Sequence, residues 1–86
     1  MAVKQVDYRE MTIRAAVFEA VGTGRFIAVV SIARTGRPAK DRREKLFEPP
    51  SEDGLFDDPD EALATALTYA REIIDGNVPD LTIEDL

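Results

Sequence analysis

The chain has 86 residues, enough for one domain with a single small core, because a chain of this size buries only about 60–65% of the surface that its unfolded form exposes. It contains no cysteine and no histidine, which excludes a disulfide framework and a structural zinc site built on those residues. Its net charge of −6 at pH 7 opposes nonspecific adhesion to nucleic acid or anionic lipid.

Two segments of alternating hydrophobicity, residues 11–21 and 25–34, predict an antiparallel β-hairpin. In both segments apolar residues recur with the period of two that strands show, and β-branched residues are frequent. Between them stands Gly22-Thr23-Gly24, in which glycine supplies positive φ angles without steric cost. The hairpin is therefore predicted to turn at residues 22–24.

A basic loop and a short third strand are predicted after the hairpin. Residues 34–45 contain Gly36, no periodic apolar residues, and six cationic side chains against two acids, a net charge of +4. Residues 45–48 predict a strand, which the prolines at 49–50 end. We expect the apolar pair at residues 55–56 to fill the seam between the sheet and the helix that follows.

The strongest local signal predicts a helix over residues 59–75. Asp58 is a favourable N-cap, Pro59 suits the first helical position, and Gly76 suits the left-handed residue that ends many helices. One apolar stripe along this helix is broad enough to cover a face of a small sheet and consists of Leu63, Ala66, Leu67, Ala70, Ile73 and Ile74. The tail, residues 77–86, is predicted to be a fraying end or a docked strand or arm.

These elements predict an α+β fold in one domain over residues 1–86. A three-stranded antiparallel sheet is followed by one C-terminal helix packed on one face, in the order β-β-β-α, plus a short tail.

Both faces of the predicted hairpin are apolar, although one helix covers only one face and a solvated face would read polar. The face turned to the helix is assigned Met11, Ile13, Val17, Phe26, Val30 and Ile32. The second face is assigned Ala16, Phe18, Ala20, Ile27, Val29 and Ala33. Either the tail or a second copy of the chain must cover this second face. We expect a homodimer, formed sheet to sheet or through edge strands, with the second face as its self-association surface.

The charges divide along the chain. Residues 1–47 hold ten Lys and Arg against five acids, whereas residues 48–86 hold twelve acids against Arg71 alone. The candidate contacts for an anionic partner are the loop residues Arg34, Arg37, Lys40, Arg42 and Arg43. They make nucleic-acid binding the alternative function, although few aromatic residues are placed to stack on bases. Equally, the loop could pair with the acidic helix of the same or a neighbouring chain.

Carboxylates cluster at both ends of the predicted helix. The residues before and in its first turn, Asp57, Asp58, Asp60 and Glu61, are of a type that binds hard cations, but acids there also cap free N–H groups and face the positive end of the helix dipole. We therefore expect no metal site. In the last turn Asp75 faces the unfavourable end of the dipole, which predicts a nearby cation, and Arg14 or Arg25 is the hypothesised partner.

No catalytic constellation is recognisable in the sequence. Without histidine or cysteine, acid–base chemistry would fall on carboxylates, lysine or tyrosine, and neither Ser31 nor Ser51 has a base at a suitable spacing. The glycine turn at residues 22–24 is not followed by a helix, as a phosphate-binding loop would be. We therefore expect no enzymatic activity and no cofactor.

No segment predicts export or membrane insertion. The longest apolar stretch, residues 26–30, is far shorter than the roughly 20 residues of a membrane-spanning helix, and the N-terminus lacks an apolar core of signal-peptide length. The lack of cysteine fits a reducing compartment, so the expected localisation is the cytoplasm.

The glycine-turned hairpin, the Arg-rich loop and the helix ending in Ala70-Arg71-Glu72-Ile73-Ile74-Asp75-Gly76 together resemble small proteobacterial proteins of unknown function, in which a β-meander precedes one helix. This resemblance spans residues 11–76 and implies a bacterial origin and the β-β-β-α order, without an activity to carry over. A looser likeness of fold is to sheet-plus-helix nucleic-acid modules of the PUR type, whose repeat and basic sheet face this chain lacks. The expected function is a non-enzymatic protein-interaction or regulatory module that self-associates.

Overall fold

The structure, a computed structural model, describes residues 2–36, 43–51 and 53–83. Within these residues one helix, α1 (Pro59–Ile74), follows four strands: β1 (Ala2–Tyr8), β2 (Met11–Ala20), β3 (Arg25–Arg34) and β4 (Glu44–Phe47). The strands form one antiparallel sheet in the order β1-β2-β3-β4, so each strand pairs with the next along the chain. The predicted α+β class is confirmed. The sheet has four strands and not the predicted three, because β1 was not among the predicted strands.

The core lies between one face of the sheet and α1. On β2 and β3 the residues that point to the helix alternate with those that point away, as a pleated strand requires. All six residues that the sequence assigned to this face lie in the core or pack against it. The buried cluster consists of Met11, Ile13, Ala15, Val17, Ala28, Val30, Ile32, Phe56, Ala62, Ala66, Leu67, Ala70 and Ile73.

The segment before the helix closes one end of this core. Phe56 is 8% exposed and forms an isolated β-bridge with Phe26, with backbone N···O distances of 2.8 Å in both directions. Of the two residues predicted to fill the seam, Phe56 does so, while Leu55 is half-buried.

Helix α1 begins at Pro59, as the capping pattern predicts, and ends at Ile74, one residue before the predicted end. The Asp58 carboxylate accepts a hydrogen bond from the backbone N–H of Asp60 (3.1 Å), which satisfies one of the free donors at the helix start. At the other end Gly76 has φ 79°, and the N–H groups of Gly76 and Asn77 donate to the carbonyls of Ile73 and Glu72. This is the Schellman arrangement that glycine favours at this position.

The described part of the tail, residues 77–83, packs on the helix side of the sheet. Val78, Leu81 and Ile83 are partly buried against the core cluster, and the Lys45 ammonium of β4 donates to the carbonyl oxygen of Thr82 (2.8 Å). The tail is therefore docked on the helix side over this range, and residues 77–83 do not cover the second face of the sheet.

The turn between β1 and β2 has an unusual composition, which explains why β1 was missed. Its two central residues, Arg9 and Glu10, have φ angles of 49° and 67°. Two-residue hairpin turns with positive φ at both central positions usually contain Asn-Gly or a similar pair. Here the turn carries no glycine, so no local turn signal indicates that one strand ends at Tyr8 and another begins at Met11.

We predict that Glu10→Gly raises the free energy of unfolding by roughly 0.5–1 kcal/mol. Holding a residue with a β-carbon at positive φ costs about 1–2 kcal/mol, and glycine removes this cost. Part of the gain is offset because glycine loses more conformational freedom when the chain folds. Chemical denaturation monitored by circular dichroism measures the change. Glu10→Ala, which removes the carboxylate but keeps the β-carbon, serves as the control and should give no gain; an equal gain from both variants would contradict the strain argument.

Candidate functional site

The face of the sheet that points away from α1, here called the open face, is ordered in four rows of paired residues. The strand register places residues of neighbouring strands side by side on the same face. From the β2–β3 turn towards the opposite end, the rows are Phe18–Ile27, then Val3–Ala16–Val29, then Gln5–Arg14–Ser31–Leu46, and finally Asp7–Thr12–Ala33–Glu44.

The two rows nearest the β2–β3 turn are entirely apolar. Phe18 is 42% exposed, Ile27 36% and Val3 57%, while Ala16 and Val29 are half-buried. Leu46, in the third row, is 67% exposed. Large apolar side chains thus lie next to one another at the surface, and none of the four belongs to the core cluster. Contiguous exposed apolar patches beyond a few hundred Å² are uncommon on monomeric proteins.

The two rows at the other end are largely polar, and three of their polar side chains, Arg14, Thr12 and Asp7, are hydrogen-bonded. The Arg14 guanidinium donates to the Gln5 side-chain oxygen (3.2 Å). The Thr12 hydroxyl donates to Asp7 (3.2 Å) and lies 2.8 Å from the hydroxyl of Thr35. The open face is therefore apolar at one end and polar at the other.

The structure adds two residues to the predicted second face. Phe18, Ile27, Val29 and Ala16 lie in the apolar rows, Ala20 is half-buried at the end of β2, and Ala33 is buried in the polar row. Val3 and Leu46 also belong to the open face and were not assigned to it. The position of Val3 depends on β1, and that of Leu46 follows from the alternation within β4, where Lys45 and Phe47 take the opposite side.

The open face has the size of a small interface. With strands about 4.8 Å apart and rows about 6.6 Å apart, the residues of the four rows cover about 400 Å². Two copies stacked on this face would enclose about 800 Å² in total, which is in the range of weak, transient contacts.

The predicted anionic-partner contacts fall at the edge of the described structure. Arg37, Lys40 and Arg42 lie outside the described residues. Arg34 is the last residue of β3 and is half-buried, whereas Arg43 is exposed and directly precedes β4. The structure thus places two of the five residues, and it does not bring them together with the open face.

Asp75 at the end of α1 has the cationic neighbour that its position predicts, but the hypothesised partner was wrong. The Arg9 Nε lies 2.9 Å from the Asp75 carboxylate, and the Tyr8 hydroxyl donates to the same carboxylate (2.8 Å). The Arg9 guanidinium also lies 5.5 Å from the centre of the Tyr8 ring. Its hydrogen bond to the Tyr8 hydroxyl is the main cause of a raised pKa of Arg9. Arg9 was missed because it lies in the turn that the sequence did not reveal.

Arg25, the second hypothesised partner of Asp75, instead binds two acids that precede the helix. Its guanidinium forms ion pairs with Asp53 and, at 2.8 Å, with Asp57. The hydrogen bond from Arg25 holds the pKa of Asp53 below its usual value, and the same bond raises the pKa of Arg25. The stabilisation is therefore present at neutral pH and is lost as the pH falls below about 4, the ordinary pKa of an aspartate.

Beside this ion-pair group lies a cleft of about 340 Å³ between α1 and the segment that precedes it. Pro50, Ser51, Glu61 and Thr65 contribute to its walls. The Ser51 hydroxyl oxygen is buried without a hydrogen-bond partner among the described residues. Because Arg25 already occupies the carboxylates of Asp53 and Asp57, the cleft presents no free group of convergent charges.

Within the described ranges, no group of three or more carboxylates is arranged to hold a metal ion. The single helix of the same residues is too short and too polar to cross a lipid bilayer.

Comparison with known proteins gives no further guide to this surface. No protein-family profile matches the chain, and no curated protein or solved structure matches it significantly. The geometry of the open face therefore carries the functional argument.

We predict that Asp75→Asn destabilises the protein at low salt and that the loss shrinks as salt is added, because Arg9 would lose its anionic partner and salt screens exposed pairs. Thermal unfolding across a salt titration measures this. The control is Glu72→Gln, which removes the same charge from the same helix end, where the dipole disfavours it, and has no cation within ion-pair distance among the described residues. Equal effects of both variants would contradict the pairing.

Proposed function

We propose that this protein is a non-enzymatic interaction module that assembles into a homodimer through the open face of its sheet. The observation that carries the proposal is the pair of adjacent apolar rows, Phe18–Ile27 and Val3–Ala16–Val29, at the surface of a domain whose only described helix lies on the other face. The docked tail supports it, since residues 77–83 lie on the helix side.

The size of the face favours a weak dimer that responds to concentration. If about half of the roughly 800 Å² enclosed is apolar, burial contributes roughly 10 kcal/mol at about 25 cal/mol per Å². Association costs roughly 4–15 kcal/mol in lost translational and rotational freedom and further ordering of side chains. The surplus is therefore at most about 6 kcal/mol, which corresponds to a micromolar or weaker dissociation constant and suits a regulatory contact.

Electrostatics separates this proposal from its alternatives. Each copy carries a net charge of −6, so two copies repel at long range, and added salt screens the repulsion and strengthens an apolar contact. A dimer held by the basic loop against an acidic helix would instead weaken with salt. Nucleic-acid binding through Arg34, Arg37, Lys40, Arg42 and Arg43 would weaken in the same way, because phosphate contacts release counterions.

We predict that the wild-type protein dimerises reversibly with a dissociation constant between about 1 µM and 1 mM, which corresponds to a binding free energy of about −8 to −4 kcal/mol. The variant Ile27→Glu should abolish the association. The reason is that a carboxylate in an apolar row would be buried without a partner. Sedimentation equilibrium measures the mass. Thr68→Glu, on the exposed side of α1, is the matched control and should associate like the wild type.

Three results would contradict the proposal. The first is a wild-type monomer at every concentration, and the second is equal loss of association in both variants while circular dichroism shows them folded. The third is association that weakens as salt rises, which would point to the charged surfaces. A fluorescence-anisotropy titration with a labelled single-stranded oligonucleotide at low salt then tests the nucleic-acid alternative directly.

A further inference from the structure

We propose that the two-fold axis of this dimer runs parallel to the strands, between β2 and β3, so that each row of one copy stacks on the same row of the other. This inference rests on the proposed function and specifies the geometry of that same surface. It follows from the uneven distribution of polar and apolar residues on the open face.

Two identical sheets can stack face to face about an axis along the strands or about an axis across them. Rotation about an axis along the strands keeps each row at its own height, so the apolar rows of the two copies meet and the polar rows meet. Rotation about a central axis across the strands reverses the order of the rows. It places the Asp7–Thr12–Ala33–Glu44 row of one copy on the Phe18–Ile27 row of the other, and the third row on the second.

The polar groups make the second arrangement costly. Arg14 is in the third row, and its one hydrogen bond to another side chain of the described residues is to Gln5. Stacked on the Val3–Ala16–Val29 row, its guanidinium would lose water without gaining a side-chain acceptor, which is expensive for a charged group. In the strand-parallel arrangement Arg14 instead meets the Gln5–Arg14–Ser31–Leu46 row of the second copy, which offers amide and hydroxyl oxygens.

The position of the axis between the two central strands maximises the covered area. With β2 over β3 of the second copy, β1 lies over β4, so the full width of each sheet is covered. Phe18 of each copy then faces Ile27 of the other. The carboxylates of Asp7 and Glu44 come together at the polar end, where they stay at the solvated rim. Both helices lie on the outside, which gives four layers in the order helix, sheet, sheet, helix.

Distances between spin labels test this geometry, and the chain suits the method because it contains no cysteine. Val21→Cys labels the β2–β3 turn, where Val21 is 96% exposed, and Glu10→Cys labels the turn at the opposite end of β2. Thr68→Cys labels the outer side of α1. Each variant is labelled separately with a nitroxide and measured by electron paramagnetic resonance at a concentration that populates the dimer.

The strand-parallel axis places each turn of one copy next to the same turn of the other, with the stacked sheets about 10 Å apart. Because the tethers of the labels add to this spacing, we expect label-to-label distances of about 15–25 Å for Val21→Cys and for Glu10→Cys. An axis across the centre of the strands would separate each pair by about 35–40 Å, at about 3.3 Å per residue. An axis across one end would bring only one of the two pairs together. Thr68→Cys should give about 40 Å with either axis, since the helices lie outside both sheets.

The outcomes separate this inference from the proposed function. Short distances at both turns together with the long Thr68→Cys distance support the strand-parallel axis. A long distance at either turn, with the Thr68→Cys distance still present, overturns the axis and leaves the dimer in place. No dipolar coupling at any of the three positions overturns the dimer and with it this inference. Sedimentation of each labelled variant, compared with the wild type, ensures that the label itself has not prevented association.

Discussion

The whole structure depends on a single helix packing against one face of a four-stranded sheet. This contact is made by small side chains: Ala62, Ala66 and Ala70 of α1 are fully buried, and Ala15 and Ala28 lie on the sheet face that the helix covers. Small residues allow a helix to approach closely, so the core is thin and the larger buried side chains must fill it almost alone. With one helix and a docked tail on the same side, the described residues leave nothing to cover the opposite face.

The polarity of that opposite face changes from one end to the other. At one end, side chains such as Arg14 and Thr12 form hydrogen bonds within the sheet and are compatible with water. At the other end, Phe18, Ile27 and Val3 keep apolar surface exposed, which is costly for an isolated molecule and useful for one that binds another. The division of the face into an apolar and a polar half also gives the proposed dimer a preferred orientation, because only one rotation brings like rows together. Specificity can thus come from the row pattern of one small sheet.

The features that could be predicted from the sequence are those with local chemical signals. Gly22 and Gly24 marked the β2–β3 turn, while Asp58, Pro59 and Gly76 marked the ends of α1, and all lie where the structure has them. Strand β1 could not be predicted because its turn uses Arg9 and Glu10 at positive φ, where glycine or asparagine usually stands. The missed strand explains two further errors. Val3 could not be placed on the open face, and Asp75 was assigned a cation from β2 or β3 when its partner is Arg9.

The most direct test of whether the open face is buried in a dimer is to follow side-chain methyl signals by nuclear magnetic resonance while the protein is diluted. The account predicts that the methyl shifts of Val3, Ile27, Val29 and Leu46 change with concentration along one binding curve. The methyl shifts of Ile13, Ile32 and Ile73, buried under α1, should stay constant over the same range and serve as internal references. Constant shifts on the open face, or changes confined to helix and tail residues such as Leu63 and Leu81, would contradict the account.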